Sequence, residues 1–128
     1  MDNTIPTILS SSISADNNTI TVNFSENIYN AADNTRSDLE TSDFALSITD
    51  GIATLQSSTP SGINKINEQQ YKLTINYTPG SVARGNETLK VVPITTSIFD
   101  LAGNAASDTQ DNEDNKVTLN DSEDPIIN

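Results

Sequence analysis

Tyr71-Lys72-Leu73-Thr74-Ile75-Asn76-Tyr77 places apolar side chains at every second position and polar ones between them. A period of two is that of a half-buried β-strand, because successive side chains leave a strand on opposite faces. Tyr71, Leu73, Ile75 and Tyr77 are therefore expected to face a core and Lys72 to face water. The same alternation recurs upstream, where Ile20, Val22 and Phe24 interleave with Thr21, Asn23 and Ser25.

A third signal is Asp43-Phe44-Ala45-Leu46-Ser47-Ile48-Thr49, then Asp50-Gly51, then Ile52-Ala53-Thr54-Leu55-Gln56-Ser57. Asp-Gly between two such runs predicts a two-residue hairpin turn, since Gly accepts positive φ without a Cβ clash. That register sets Leu46 opposite Leu55. Further strands are expected over residues 7–14, near 64–66, and over 88–93, 96–99 and 116–119. Polar stretches at 15–18, 30–42, 58–62, 79–86 and 100–115 separate them. Helix is limited to a single turn near 36–40 or 81–83. About eight or nine short strands with polar turns predict an all-β antiparallel sandwich with Greek-key pairing. Phe24, Phe44, Leu46, Leu55, Leu73, Ile75 and Val91 are the expected core.

Bulk properties agree with one such domain. The chain has 128 residues, 34% of them hydrophobic, no Trp, and three each of Phe and Tyr, so the core must rest mainly on Ile, Leu and Val. Six Lys and Arg against eighteen Asp and Glu give a net charge of −12. That field repels phosphate backbones and anionic lipid heads, which disfavours nucleic-acid and membrane-surface binding. No run approaches the roughly 20 apolar residues of a membrane-spanning helix. The start Met1-Asp2-Asn3-Thr4 lacks the pattern of a signal peptide.

The two ends of the chain are alike. Placing Pro125 over Pro6 also places Asp121 over Asp2 and Ile127 over Ile8. This predicts one repeat over residues 1–120, with 121–128 as linker and the opening of the next repeat.

Several stretches together resemble bacterial immunoglobulin-like repeats of large secreted and cell-surface proteins, of the adhesin and S-layer type. They are Ile20-Thr21-Val22-Asn23-Phe24-Ser25-Glu26-Asn27-Ile28, Asp43-Phe44, Tyr71-Lys72-Leu73-Thr74-Ile75 and Ile98-Phe99-Asp100-Leu101-Ala102-Gly103-Asn104. The resemblance implies an immunoglobulin-like sandwich set in a tandem array outside the cell. It implies neighbouring repeats of the same chain as partners and a monomer when the module stands alone. It names no ligand.

Catalytic chemistry has little to work with. Without His or Cys there is no Ser-His-Asp or Cys-His arrangement and no zinc site of the usual type. The five Gly residues are scattered, so no phosphate loop is present. A carboxylate pair for glycoside hydrolysis would need a shaped cleft, usually lined with aromatic platforms. A Lys-to-Asn cross-link of the kind found in surface stalks would need an inward Lys, and Lys72 and Lys90 both fall on the outward phase. No enzyme is expected.

Oxygen donors are abundant, which makes calcium the candidate ion. Glu26, Asp33 and Asp38 form one acidic cluster. Asp100 with Asn104, bent together by Gly103, forms a second. Asp108, Asp111, Glu113 and Asp114 form a third, with Asp121, Glu123 and Asp124 beyond. None has the spacing of an EF-hand, and each has an ordinary alternative as a solvated turn in which Asp and Asn cap their own backbone. In a sandwich the loops at 26–38 and at 100 should meet at the end where the chain enters, beside Asp2. Glu26, Asp100, Asn104 and Asp2 are thus the expected calcium ligands. On that reading Asp100→Ala leaves the calcium-free protein unchanged or more stable. The expected role is a spacer or adhesion module, rigidified by calcium, of an extracellular or bacterial cell-surface protein. The alternative is a module that grips a glycan or protein through one loop end, for which Tyr29 is the one aromatic expected in the open.

Overall fold

The structure is a computed structural model that describes residues 4–32, 37–80 and 82–121. Among the described residues seven strands follow in order: β1 Ile8–Ile13, β2 Thr19–Phe24, β3 Phe44–Thr49, β4 Gly62–Lys65, β5 Gln70–Thr74, β6 Thr88–Pro93 and β7 Lys116–Thr118. Helix among the described residues is confined to two short 3-10 turns, Thr41–Asp43 and Glu113–Asn115. Of the turns expected near 36–40 and 81–83, the described residues 37–40 and 82–83 are not helical, and Arg36 and Ser81 lie outside the described residues.

The chain is an all-β sandwich of two antiparallel sheets. One has four strands in the order β1-β2-β5-β4 and the other three in the order β3-β6-β7. Ile20 faces Leu73 and Val22 faces Tyr71 across β2 and β5. Leu46 faces Val91 and Ile48 faces Leu89 across β3 and β6. These inward rows meet in one core. Phe24 from the first sheet packs on Phe44 from the second, with ring centroids 6.3 Å apart and planes tilted by 53°, an arrangement aromatic quadrupoles favour.

The expected core is in place. Phe24, Phe44, Leu46, Leu73, Ile75 and Val91 are buried, and Leu55 is half-buried against them. Lys72 is exposed, as its phase requires. Tyr71 is buried, with its hydroxyl accepting the Leu39 N–H at 3.2 Å. Burial raises its phenol pKa.

The expected hairpin is corrected. Asp50 and Gly51 do form a sharp turn with φ of +65° and +68°. Leu46 nevertheless faces Val91 and not Leu55, while Leu55 makes an isolated bridge to Tyr77, three residues beyond the end of β5. The N–H groups of Ile52 and Ala53 are both taken by the carboxylate of Glu87, so they cannot continue a ladder along β3. The returning chain crosses between sheets, and Leu46 donates to the carbonyl of Ser58 instead. Residues 52–57 and 96–99 hold only isolated bridges, one at Leu55 and two at Phe99, where full strands were expected.

Antiparallel pairing fixes the two ends. Thr4, the loop after β2, the loop after β6 and Asn104 share the end where the chain enters. The turn at 14–18, the Asp50-Gly51 turn, residues 77–80 and 84–87, and Asn120 share the end where it leaves.

Candidate functional site

The entry end is built outward from β2 and β6. Beyond Phe24, Ile28 is buried, and Tyr29 exchanges both backbone hydrogen bonds with Phe99, at 2.7 and 2.8 Å. Phe99 also bridges to Ala105. Residues 100–104 are thereby pinched into a tight loop, closed by Asp100 N to Asn104 O at 3.0 Å and Gly103 N to Asp100 O at 3.1 Å. Gly103 sits at φ +92°, a backbone conformation costly for any residue with a Cβ.

Asp100 fills this loop with its side chain and is 1% exposed. Its Oδ1 accepts the Asn104 backbone N–H at 2.8 Å and its Oδ2 accepts Asn104 Nδ2 at 3.0 Å. Burial alone would raise its pKa, but the Asn104 side chain, then the N–H groups of Asn104, Gly103 and Ala102, outweigh burial and hold the carboxyl below the ordinary range. Asn104 Nδ2 also reaches the Thr4 carbonyl at 3.4 Å, tying the loop to the entering chain. Glu26 is half-buried and lines, with Asn27, Leu101 and Ala102, an open cleft of about 420 Å³ at the same end.

The loop after β2 and the loop at Asp100, expected to meet at the entry end, do meet there through Tyr29 and Phe99. Asp100 and Asn104 are in direct contact, and Glu26 lies beside their loop. Asp2 and Asp33 lie outside the described residues. Among the described residues no group of three or more carboxylates is close enough to hold a metal. Calcium takes six to eight oxygen ligands, whereas the neighbours of the Asp100 oxygens are N–H donors. As it stands, the Asp100 loop is a self-capped turn.

Four other acidic residues, Asp38, Glu68, Asp108 and Asp111, have partners close by. Asp38 and Glu68 each pair with Lys65 at 2.8 Å. Asp108 accepts from the Thr95 hydroxyl. Asp111 pairs with Lys116. Asn112 caps the 3-10 turn by accepting the Asp114 N–H at 2.9 Å. Asn115 is fully buried and donates to the carbonyls of Val91 and Gln110 at 3.0 and 2.7 Å.

The exit end holds two devices that the sequence reading missed. Glu87 is 0% exposed; its Oε2 accepts from Ile52, Ala53 and Arg84 backbone nitrogens at 2.9, 3.0 and 3.1 Å, and its Oε1 from Arg84 and Gly85 at 2.9 and 3.1 Å. Desolvation pushes this carboxyl up, but the N–H groups of Ala53, Ile52 and Arg84 more than reverse it, to about 2. Asn17, buried at φ +65°, donates Nδ2 to the Asn120 carbonyl at 2.7 Å and accepts the Asn120 N–H at 2.8 Å. The Tyr77 hydroxyl donates to the Asn17 carbonyl at 2.8 Å. A signal for Glu87 and Asn115 was present: each occupies the inward phase one step before its strand, Glu87 ahead of Leu89 and Val91, Asn115 ahead of Val117 and Leu119.

Comparison with protein-family models, with curated proteins and with solved structures finds no match to this chain.

Proposed function

We propose that the chain is an immunoglobulin-like structural module, a spacer or adhesion repeat of an extracellular or bacterial cell-surface protein. The observation that carries the reading is strand order. A four-stranded sheet in the order 1-2-5-4 against a three-stranded sheet in the order 3-6-7 matches the ABED and CFG sheets of constant-type immunoglobulin domains. Entry and exit at opposite ends of the sandwich suit a module threaded in line with its neighbours.

The aromatic residues favour a spacer over a glycan-gripping module. All six Phe and Tyr are buried or half-buried, Tyr29 included, so none stands out as a sugar platform. Rigidity at the entry end is supplied by the Asp100 turn. Calcium bound by Glu26, Asp100 and Asn104 would strengthen that end only by exchanging the N–H donors on Asp100 for a cation. A comparison of melting in calcium and in chelator separates the two accounts.

The spacer reading is tested by pulling the chain between its ends. β1 and β7 both run toward the exit end and are linked by Ser11 Oγ to Asp114 O at 2.6 Å and by the Asn17–Asn120 clamp. Tension along the molecule loads these links together in shear. A spacer should open in one cooperative step, releasing a contour length of roughly 35–40 nm. Extension at negligible force, or tight binding of a soluble glycan by the isolated module, would remove the spacer reading.

A further inference from the structure

We propose that consecutive copies of this module dock directly end to end, the exit end of one copy, carrying Ile52 and Val82, seated on the entry end of the next, carrying Ile5 and Leu101. The proposal rests on the spacer reading and names the surface by which the spacer would be stiff.

Large apolar side chains exposed singly are common on protein surfaces; their placement is what matters here. Ile52 is 49% exposed and Val82 40%, on two loops that the Glu87 carboxylate gathers by their N–H groups. Ile5 is 46% exposed and Leu101 63%, on two segments joined through Asn104 and Thr4. Leu101 also borders the open cleft at that end. Each end thus carries two exposed apolar side chains on loops that are fixed from within.

The occupant follows from the chain itself. Asn17 holds Asn120 by two hydrogen bonds, and a Cβ on Gly85 would lie only 3.3 Å from the Asp121 Cβ, so the chain is closely held where it leaves. In the alignment of the two chain ends, Glu123 takes the place of Thr4, the residue whose carbonyl Asn104 grips. Three peptide steps separate position 120 from position 123, a reach of roughly 11 Å when extended. Two ends joined by so short a link face each other at contact distance, and their apolar pairs can exclude water between them. The net charge of −12 makes successive copies repel, so the contact must be carried by apolar burial and should tighten as salt screens the repulsion.

The test uses a two-copy chain, residues 1–120 followed by residues 2–128, beside the single chain. Docking predicts that the two-copy chain relaxes in NMR as one rigid rod and melts about 5 °C above the single chain, with the gap widening in salt. Leu101→Ser in the second copy alone should abolish the gap, while the same substitution in the single chain leaves its melting unchanged. Two copies that keep the amide spectrum of the single chain but tumble independently, with no gap in melting, would overturn the docking and leave the spacer reading standing. Loss of the β2–β5 pairing in the single chain would instead overturn the fold on which the spacer reading depends.

Discussion

Glu87 Oε2 stands 2.9 Å from the backbone nitrogen of Ile52, joining the start of β6 to the turn that follows β3 across 35 residues of sequence. A carboxylate suits this position because it offers acceptors only, and every neighbour on its oxygens is an N–H donor. Glu87→Gln replaces one of those oxygens with an NH2 group facing the donors. The expected cost is roughly 2–4 kcal/mol, from lost charge-assisted bonds and buried N–H groups left unpaired. Urea unfolding checks it: the midpoint should fall with little change in slope. A variant within about 0.5 kcal/mol of wild type would mean the carboxylate is solvated.

The same group sets an acid limb. Its folded pKa of about 2 lies below the ordinary 4.5, so its stabilisation is complete above the unfolded value and is lost as pH falls toward 2. The loss over that window should be on the order of 3 kcal/mol for this residue. Glu87→Gln should be flatter between pH 5 and 2 than wild type when melting is followed against pH. Parallel acid limbs would assign the acid sensitivity to other carboxyls.

Gly51 is the partner that makes room for Glu87. At φ +68° any L side chain is strained, and a Cβ there would stand 2.4 Å from both Cδ and Cγ of Glu87. Glu87 cannot swing aside cheaply, because its oxygens are held by backbone nitrogens. Gly51→Ala should therefore cost at least about 2 kcal/mol in wild type and less in a Glu87→Ala background. Equal costs in both backgrounds would show that only the backbone strain matters.

The alternating runs made most of the sandwich legible in the sequence. Ile20, Val22, Phe24, Tyr71 and Leu73 read correctly because burial of one face is a local pattern with a period of two. The partner of a strand is not local. Asp50-Gly51 correctly announced a turn, but the pairing beyond it was decided by a carboxylate 35 residues away. At the entry end the meeting of Glu26 with the Asp100 loop was legible from topology. The direction in which Asp100 spends its lone pairs was not, since acidic residues read the same in a metal site and in a self-capped turn.

Leu73 lies at the centre of the larger sheet, fully buried, with Ile20 on one side and Ile63 on the other. Leu73→Ala should cost roughly 2–5 kcal/mol through lost burial and the cavity left behind. Lys72→Ala, one residue away on the exposed face, should fall within about 0.5 kcal/mol of wild type. Chemical denaturation of the pair reads out the phase of the strand directly, and similar costs at both positions would contradict it.

Asp100 decides between calcium and a self-sufficient loop. If repulsion among carboxylates dominated the entry end, Asp100→Ala would leave the calcium-free protein unchanged or stabilised. The geometry reverses that sign, because the carboxylate is buried and engaged by the backbone and side-chain N–H groups of Asn104. Removing it leaves those donors without their partner at a cost of roughly 2 kcal/mol, several degrees in Tm. The loss should be the same in excess calcium and in chelator, and Glu26→Gln should shift Tm little in either. A bound calcium present at ten times its dissociation constant would add roughly 1.4 kcal/mol to wild type alone. Wild type melting several degrees higher in calcium, with Asp100→Ala insensitive to the ion and no less stable than wild type in chelator, would make the Asp100 loop a cation site.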